Sequence, residues 1–288
     1  MKFPHIILVI LLSLVTAFTT EKYVASHNDN VGVAKESVYD RVMRTGTLRC
    51  GYFIEPPFTF SDPNTGKKSG IAVDLAEKIA TELNLKLEWS METSFASLTE
   101  DLILGRYDAV CASLFTLPRS GRIDYTVPYT YVPVYAFTQT GRTEFDNKLD
   151  QLDWSQIAVA GLDGEGATTI ARKKIPQAKF VMLSQNDQIA NMLTSVVDKK
   201  ADIAFVMPTV FKEFDATNPN KLQRIASDQP FYVFNVAFGL KPNEPAFKNT
   251  LDYMMRNLSA NGYLQSLFQK YDPDKLLFRP TSPYQVAP

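Results

Sequence analysis

Histidine is almost absent from this 288-residue sequence, which contains only His5 and His27. Both stand ahead of the region in which the pattern predicts folded domains, so histidine-based catalytic triads and histidine metal sites are excluded. The patterns GxSxG, HExxH and GxxxxGK followed by Ser or Thr are missing as well. The sequence therefore predicts no metal and no cofactor, and it offers no motif for hydrolase, metalloprotease or phosphate-loop chemistry.

A concentrated basic region is also lacking, since 30 lysine and arginine residues are scattered among 31 aspartate and glutamate residues. The formal net charge of −1 produces no strong overall field. Because phosphate neutralisation requires a clustered positive patch, this distribution argues against a nucleic-acid partner. With 45% hydrophobic residues, the chain can bury a sizeable core as one large or two ordinary domains.

Only one apolar run is long, the thirteen-residue stretch IILVILLSLVTAF from Ile6 to Phe18. A spanning helix needs about twenty residues, so residues 1–25 are predicted to be an export signal cleaved after Val15-Thr16-Ala17. An uncleaved anchor in the inner membrane is the alternative, and the absence of a following cysteine excludes the lipoprotein route. No later run is long enough to span a bilayer, which predicts that the remaining chain lies in the periplasm.

Cysteine is limited to Cys50 and Cys111, and no CxxC motif is present. This argues against cysteine zinc sites and thiol redox catalysis. In an oxidising compartment the two residues can form a disulfide, provided that their short apolar segments, TLRCGY and YDAVCAS, are neighbouring strands. Two inert buried thiols are the alternative.

Short apolar runs alternate with amphipathic helical stretches in the rest of the sequence, which is typical of α/β architecture. The segments LRCGYFI, LKLEWS and YDAVCAS are predicted strands, as are QIAVAGL, KFVML and ADIAFVM further along. The segment SDPNTGKKSG is a predicted turn, and IAVDLAEKIATELNL is a predicted helix with Ile71, Leu75, Ile79 and Leu83 on one face. Two β-α-β-α-β runs predict two similar lobes. The expected parts are a linker and short helix over 26–46, the first part of lobe 1 over 47–134, lobe 2 over 135–233, a return to lobe 1 with terminal helices over 234–275, and a tail over 276–288.

Two extended aromatic segments, YTYVPVYAFTQT and FYVFNVAFGLK, stand near the predicted lobe boundaries. They indicate that the chain leaves the first lobe once and returns to it once. A hinge of two crossing strands with a cleft above it is therefore expected, which is the geometry that closes around a small ligand.

Eight short motifs follow one another along these elements. They are Cys50 to Phe58, Gly70 to Leu75, Phe95 to Leu102, Gly105 to Ala109, Arg119, Asp124 to Tyr129, Ala201-Asp202 and Asn261 to Tyr263. No single motif is specific, but in this order they make the region from Leu48 to about Asp272 resemble the family 3 extracellular solute-binding proteins. These are the amino-acid-binding subunits of ABC importers, with the two-lobed type II periplasmic-binding fold.

The resemblance implies a ligand site in the cleft. Arg119 takes the position of the family arginine that forms a forked pair with the ligand carboxylate, a task that suits the planar guanidinium. The segment from Asp108 to Arg119 is one residue shorter than the family pattern, so Arg122 is the alternative. Ser113 and Thr116 are expected to supply hydroxyl or backbone contacts.

Three further site residues depart from the family pattern. Glu55 stands where an aromatic clamp is usual, and Met207 stands where an acid usually accepts the ligand ammonium, which weighs against an α-amino acid held in the ordinary way. Glu55 either replaces that acceptor or is a solvated loop carboxylate. Glu165 occupies a hydroxyl position at a helix N-terminus, where it either caps its own helix or faces the cleft and favours a cationic or neutral polar ligand.

Two aromatic residues and two hydroxyls complete the expected site. Phe58 and Phe95 either cover an apolar part of the ligand or pack in the core. Thr168 and Thr169 are hydroxyl candidates close to the helix N-terminus.

These features predict a monomeric periplasmic receptor that closes on a small polar solute and hands it to an importer permease. The runner-up is a dehydratase-like periplasmic enzyme on the same fold, with Glu55 and Glu165 as its acid–base pair. A membrane-tethered sensory module is a third alternative, which an uncleaved N-terminus would favour.

Overall fold

The computed structural model describes residues 36–115, 121–145, 149–225 and 229–280 of the chain. The predicted signal segment, residues 1–25, and the end of the predicted tail, residues 281–288, lie outside these ranges. In the part of the chain that is described, no helix is both long enough and apolar enough to cross a bilayer.

The first part of the chain alternates strands and helices in the order that its apolar pattern predicts. Helix α1 (Val38–Thr45) begins after Ser37, whose hydroxyl accepts a hydrogen bond from the Asp40 backbone N–H at 3.0 Å. It ends at Gly46, where a φ of 63° suits glycine and stops the helix. The following elements are β1 (Thr47–Tyr52), β2 (Phe60–Ser61), β3 (Lys68–Ser69), α2 (Ile71–Glu82), β4 (Lys86–Glu92), α3 (Leu98–Ile103) and β5 (Ala109–Phe115).

The second part supplies the other half of the sheet. Three 3₁₀ turns, at Thr143–Phe145, Leu149–Gln151 and Trp154–Gln156, precede its parallel strands. Its elements are β6 (Asp124–Tyr125), β7 (Thr130–Gln139), β8 (Ala158–Leu162), α4 (Gly166–Lys174), β9 (Lys179–Leu183), α5 (Ala190–Val197), β10 (Ile203–Val206), α6 (Pro208–Thr217), β11 (Leu222–Arg224), β12 (Tyr232–Leu240), α7 (Pro245–Ala260) and α8 (Tyr263–Tyr271).

One mixed sheet joins both parts, in the strand order β4-β1-β5-β12-β7-β10-β8-β9. Strands β4, β1 and β5 run parallel to one another, and so do β10, β8 and β9. Between these two sets lie β7 and β12, which pair with each other in antiparallel fashion and then with the outer sets. The α/β class and the predicted pair of crossing strands are thereby confirmed.

The largest cluster of buried apolar side chains extends through both parts of the chain. The predicted apolar face of α2 lies in it, because Ile71, Leu75 and Ile79 are all fully buried. Removing such aliphatic side chains from water is the main contribution to the stability of this arrangement.

Cys50 and Cys111 form a disulfide, with 5.5 Å between their Cα atoms. Cys50 lies on β1 and Cys111 on β5, and these strands are parallel neighbours in which Cys50 is opposite Ala109. Both cysteines are fully buried. The predicted disulfide is therefore confirmed, and the alternative of two free thiols is removed.

The chain beyond α8 folds back onto β7. The backbones of Phe278 and Tyr131 exchange two hydrogen bonds, of 2.8 and 2.9 Å, and the Thr130 hydroxyl donates to the Phe278 carbonyl at 2.9 Å. Leu277 is 3% exposed and lies in the main core. The first residues of the predicted tail thus pack against the hinge strand.

Candidate functional site

The carboxyl ends of the parallel strands carry most of the predicted site residues. In the first half of the sheet, Glu55 and Phe58 follow β1 and Phe95 follows β4. In the second half, Glu165 follows β8 and Met207 follows β10. Ligands of open α/β sheets bind outside the carboxyl ends of the strands, so the topology places these residues where a ligand site is expected.

The two sets of carboxyl ends meet at Gly164 and Phe95. A Cβ built on Gly164 would lie 3.7 Å from the Cβ of Phe95 and 3.9 Å from the backbone nitrogen of Ala96. Gly164 has a φ of 77°, a left-handed conformation that suits glycine. The loop that begins α4 therefore contacts the loop that begins α3, and the candidate site lies between the two halves of the sheet.

Phe95 is partly buried beside a small apolar cluster. Its ring centroid lies 5.0 Å from that of Phe53, with the planes tilted by 58°. Phe53 packs in turn with Leu98 and Tyr107. Phe95 therefore contacts the Phe53 ring within the first half of the sheet and the loop at Gly164 in the second half.

The turn at Glu55–Thr59 is fixed to the N-terminus of α2. The backbone N–H groups of Ile71 and Ala72 donate to the carbonyl oxygens of Pro57 and Phe58, at 3.1 and 3.0 Å. These bonds satisfy two donors that a helix start otherwise leaves open. The local sequence thus holds the loop after β1 in one position against the helix.

Phe58 and Glu55 have different surroundings on this turn. Phe58 is fully buried in the main core, with its ring centroid 6.3 Å from that of Tyr129. Glu55 is 7% exposed. Burial, together with the Glu55 carboxylate, raises the pKa of Tyr129 well above its ordinary value. A buried carboxylate and a neutral phenol therefore share the first-half side of the site.

Glu165 caps its own helix in the structure. Its Oε1 accepts a hydrogen bond from the Ala167 backbone N–H at 2.7 Å. Its Oε2 accepts from the Thr168 backbone N–H at 2.7 Å and from the Thr168 hydroxyl at 3.0 Å. The side chain reaches these donors because the backbone of Glu165 is extended, with a ψ of 146°, just before α4 begins.

The neighbouring predicted residues also have internal roles. The Thr168 hydroxyl accepts from the Leu162 backbone N–H at 3.0 Å, and the Thr169 hydroxyl donates to the Glu165 carbonyl at 2.9 Å. Met207 is buried and precedes α6, and its side chain makes no capping hydrogen bond. The N-termini of α4 and α6 therefore differ, since of these two helices only α4 has an acidic cap.

The predicted carboxylate contact falls on β5 and on the segment that follows it. Thr116 and Arg119 lie outside the described residues, and Ser113 is described by its position on β5 alone. Their roles stay predictions. Arg122 lies on the surface, where its guanidinium is 3.9 Å from the carboxylate of Glu100 and its side chain is 65% exposed.

Sequence reasoning missed two buried threonine hydroxyls beside these residues. Thr59 follows Phe58, and Thr209 stands two positions after Met207. The Oγ1 atoms of both are buried and have no hydrogen-bond partner among the described residues. Threonine is neutral in a hydropathy pattern, so no sequence signal marks them. Because an unsatisfied buried hydroxyl costs free energy, both are candidates to contact a polar group.

The described side chains give the site two carboxylates and a pair of aromatic rings. Glu55 and Glu165 are buried on opposite halves of the sheet. The Phe95 ring packs near that of Phe53, and Phe95 approaches Gly164, the residue before Glu165. Within the described ranges, no group of three or more His, Cys, Asp or Glu residues is arranged to hold a metal ion. The arrangement therefore offers acceptors, negative charge and apolar surface to a small ligand.

One protein family matches most of this chain. The model of the bacterial extracellular solute-binding proteins, family 3, matches residues 48–273. The match runs from β1 to the end of α8, so it includes both halves of the sheet and every site residue predicted above.

Individual relatives are distant but cover most of the chain. A cyclohexadienyl dehydratase of Pseudomonas aeruginosa is 25% identical over 245 residues, which are 83% of this chain and 87% of that protein. A probable amino-acid ABC transporter-binding protein of Haemophilus influenzae is 24% identical over 232 residues, 80% of this chain and 86% of that one.

A solved structure confirms the type II periplasmic-binding fold. It is an ancestral amino acid-binding protein, described as a precursor of cyclohexadienyl dehydratase, and it aligns with a TM-score of 0.68 at 22% identity. The alignment covers 82% of this chain and 99% of that structure.

Proposed function

The chain belongs to the bacterial extracellular solute-binding proteins of family 3, and we propose that it captures a small polar solute and delivers it to an ABC importer. The observation that carries this proposal is the contact between the two sets of strand carboxyl ends at Gly164 and Phe95. A solute bound there would contact both halves of the sheet and would be released when they separate about β7 and β12. The solute is an amino acid or a related compound.

The relatives support a receptor that works outside the cytoplasm. The Haemophilus protein carries the name of an amino-acid ABC transporter-binding protein, and the family is extracellular by description. By this analogy the importer permease is the partner. We propose further that the receptor acts as a monomer in the periplasm. The predicted export signal is consistent with that location.

Ligand binding by the purified protein tests the proposal. Thermal-shift and calorimetric titrations with amino acids, amines and small carboxylates should find a solute that binds once per chain and is recovered unchanged. X-ray scattering should then show a smaller radius of gyration on binding, because the halves close. If no compound in these classes stabilises or compacts the protein, the receptor proposal is wrong.

A dehydratase is the second candidate, because one relative is a cyclohexadienyl dehydratase. Such an enzyme needs an acid that protonates the departing hydroxyl. The two buried carboxylates, Glu55 and Glu165, are the candidates that the site offers. Glu165, however, accepts hydrogen bonds from three donors of its own helix start, so both of its oxygens are already engaged as a helix cap.

Incubation with a cyclohexadienyl substrate separates the two candidates. A receptor retains at most one equivalent and releases it unchanged. Catalytic turnover that is lost in Glu55→Gln or Glu165→Gln would instead establish the enzyme.

The third alternative, a membrane-tethered sensory module, would be favoured if the N-terminal segment is not cleaved. Mass spectrometry of the exported protein should show an N-terminus that follows Ala17, as expected for a cleaved signal. An intact N-terminus in the membrane fraction would support the anchor.

A further inference from the structure

A pocket beside α2 is lined mainly by lysine and tyrosine side chains. Its volume of about 420 Å³ is within the range of small-molecule sites, and it lies between α2, α8 and the hairpin strand β3. Its lysines are Lys67, Lys68, Lys78 and Lys270, and its tyrosines are Tyr263 and Tyr271. We propose that this lysine pocket is a second binding site, separate from the site between the halves of the sheet, and that it binds a phosphate group. The proposal goes beyond the proposed solute-binding function and does not depend on it.

Helix α2 presents one of its faces to the lysine pocket. The residues of this face recur at intervals of three and four positions, and they are Asp74, Glu77, Lys78 and Thr81. Helix α8 packs on the same face, where the Tyr263 hydroxyl donates to the Asp74 carbonyl oxygen at 3.2 Å. The remaining lining comes from β3 and from the lysine before it. The pocket is therefore built from a hairpin and two helices, apart from the strand ends that form the candidate site.

Asp74 holds part of the pocket in a fixed arrangement. Its Oδ2 accepts hydrogen bonds from the Lys270 ammonium at 2.9 Å and from the Tyr271 hydroxyl at 3.0 Å. Together with the bond from Tyr263, these contacts fix three side chains of α8 against α2. Side chains that are already ordered bind a ligand at a lower entropic cost.

Two lysines of the pocket have no acidic partner. Lys78 pairs with Glu82 at 2.7 Å and Lys270 with Asp74, whereas Lys67 and Lys68 form no ion pair with any residue that the structure describes. The Lys68 ammonium lies 4.3 Å from the centroid of the Tyr52 ring, which leaves its hydrogen-bond donors available. Two adjacent ammonium groups therefore face the pocket and can bind an anion from outside.

The kind of cation favours phosphate over carboxylate. Lysine acts on phosphate as a point charge with three donors, whereas a carboxylate is best matched by the planar fork of arginine. The described lining supplies lysines and the hydroxyls of Ser69 and Thr81, and it includes no arginine. A phosphate monoester carries a charge of about −1.5 to −2 at neutral pH, which two unpaired ammonium groups balance.

Glu77 is the carboxylate of the pocket that opposes an anion. Partial burial and the neighbouring Asp74 carboxylate raise its pKa, and Lys67 and Lys270 counteract this shift. A bound phosphate would compete with Glu77 for the same lysines. Removing the charge of Glu77 should therefore strengthen phosphate binding, whereas removing the lysine charges should weaken it.

Titration of the purified protein with inorganic phosphate and with glycerol 3-phosphate, followed by phosphorus NMR, tests the proposal. At least one of these probes should bind saturably, once per chain, with half-saturation at about 1 mM or below in about 150 mM sodium chloride. Succinate at the same concentration should not displace the bound phosphate. Displacement by succinate would show a general anion site and would overturn the assignment to phosphate.

Substitutions in the pocket locate the bound phosphate. Lys67→Gln/Lys68→Gln should weaken binding about tenfold or more, and Glu77→Gln should strengthen it about twofold or more. The matched control is Lys199→Gln/Lys200→Gln, which removes an adjacent pair of exposed lysines in the second half and should change the affinity little. Equal losses in the two double variants, or weaker binding by Glu77→Gln, would show that the lysine pocket does not hold the phosphate.

Folding and the site between the halves are checked separately. The melting temperatures of these variants should equal that of the wild type, and if Lys67→Gln/Lys68→Gln does not fold, Lys67→Gln alone should weaken binding about threefold or more. Arg119→Ala alters the predicted cleft and should leave phosphate binding unchanged. Loss of phosphate binding in this variant would place the anion in the cleft and overturn the proposal, whatever the solute titrations find.

The phosphate group can belong to a free metabolite or to a lipid headgroup, and vesicles distinguish these sources. Cosedimentation compares vesicles of phosphatidylglycerol with vesicles of phosphatidylcholine. Binding of glycerol 3-phosphate without binding to either vesicle identifies a free metabolite. Binding to phosphatidylglycerol vesicles alone, lost in Lys67→Gln/Lys68→Gln, identifies a lipid headgroup. If neither the soluble phosphates nor the vesicles bind, the lysine pocket is not a phosphate site and the proposal is wrong.

Discussion

The guanidinium of Arg119 is the charged group on which the predicted carboxylate contact depends. Arg119→Ala should weaken binding of a carboxylate-bearing solute by about 2 to 5 kcal/mol, roughly 30- to 4,000-fold in affinity, because it leaves a buried anion without its partner. Arg122→Ala is the matched control, since Arg122 is exposed and lies 3.9 Å from Glu100 on the surface. Calorimetry of both variants measures the difference.

The control also decides between the two arginines that the sequence left open. Arg122→Ala should change the affinity by less than about twofold, in keeping with the small contribution of exposed ion pairs. A large loss in this variant, with little change in Arg119→Ala, would move the carboxylate contact to Arg122.

Tyr107 makes the stability of the protein sensitive to alkaline pH. Burial raises its pKa to about 12, and its hydroxyl donates to the Leu98 carbonyl at 2.7 Å. In the unfolded chain the phenol ionises near pH 10, so between pH 10 and 12 the unfolded state binds fewer protons and the folded state loses about 3 kcal/mol of stability. The melting temperature should therefore fall over this range, and it should fall less steeply in Tyr107→Phe. Parallel pH profiles of the two proteins would contradict the assignment.

The sequence predicts the role of a residue only where the chemistry of its side chain and its position in an element favour the same role. The sequence allows Glu165 two orientations, and the choice between them depends on the extended backbone just before α4, which no side-chain pattern reveals. The sequence likewise allows Phe58 either ligand contact or core packing, and in the structure Phe58 is fully buried in the core. The hydroxyls of Thr59 and Thr209 are buried without a hydrogen-bond partner among the described residues because of tertiary packing, and no feature of the sequence pattern predicts this.

At the scale of elements, the disulfide joins two neighbouring strands of the first half. Reduction should destabilise the protein by about 2 to 5 kcal/mol and lower the melting temperature by roughly 5 to 15 °C, because the loop between Cys50 and Cys111, which are 61 positions apart, is no longer closed. The measurement is a melting curve with and without reductant, alongside a thiol titration. The Cys50→Ala/Cys111→Ala double variant should melt at the same temperature in both buffers. An unchanged melting temperature in protein with two titratable thiols would contradict the expectation.

Gly70 fixes the junction between the Glu55–Thr59 turn and α2. Its φ is 129°, and a Cβ at this position would lie 2.3 Å from the Phe58 carbonyl oxygen, too close for any side chain. Gly70→Ala should therefore cost about 3 kcal/mol or more in the free energy of unfolding. Gly66→Ala is the control, because Gly66 also has a positive φ but no atom within 4 Å of its Cβ position. It should cost only about 1 to 2 kcal/mol. Denaturant titrations compare the two variants, and equal losses would show that the close approach is unimportant.

Elements with a strong periodic pattern were predicted well, and short ones were not. The predicted apolar face of α2 is the face that is buried, and the strands around Cys50 and Cys111 pair as expected. The hairpin of β2 and β3 lies inside a segment predicted as a turn, because strands of two residues carry no alternating pattern. Their pairing comes from the return of the chain to α2 rather than from side-chain hydropathy.

At the scale of the whole molecule, two extended segments were sufficient to predict the crossing strands. The hydropathy pattern of these segments predicts extended strands. The repetition of β-α-β units on either side indicates that the chain passes from one half of the sheet to the other at these segments. The docking of the chain end on β7 was not predicted, since residues 276–288 have the composition of a tail. Phe278 binds through its backbone, which a side-chain pattern does not report.

This chain end adds a further link between the halves of the sheet, besides β7 and β12. Asp274 belongs to the segment that packs on the hinge strand β7, and it forms an ion pair with Lys212 of α6 in the second half. Both side chains are about half exposed, so the pair contributes little to folding itself. Its effect should fall on the equilibrium between closed and open forms, because opening about the hinge moves α6 relative to the segment.

Lys212→Ala should therefore weaken solute binding by up to about fivefold, equivalent to about 1 kcal/mol, while the melting temperature without solute changes by less than about 2 °C. Asp274→Ala should have the same effect, and the double variant should bind the solute no more weakly than either single variant, because both substitutions remove the same interaction.

Lys200→Ala is the control, since its pair with Asp198 joins residues of the same half. Raising the salt concentration to 1 M should reduce the difference between wild type and Lys212→Ala by screening the exposed pair. Additive losses in the double variant, or a difference that persists in high salt, would show that the chain end does not act on closure through this pair.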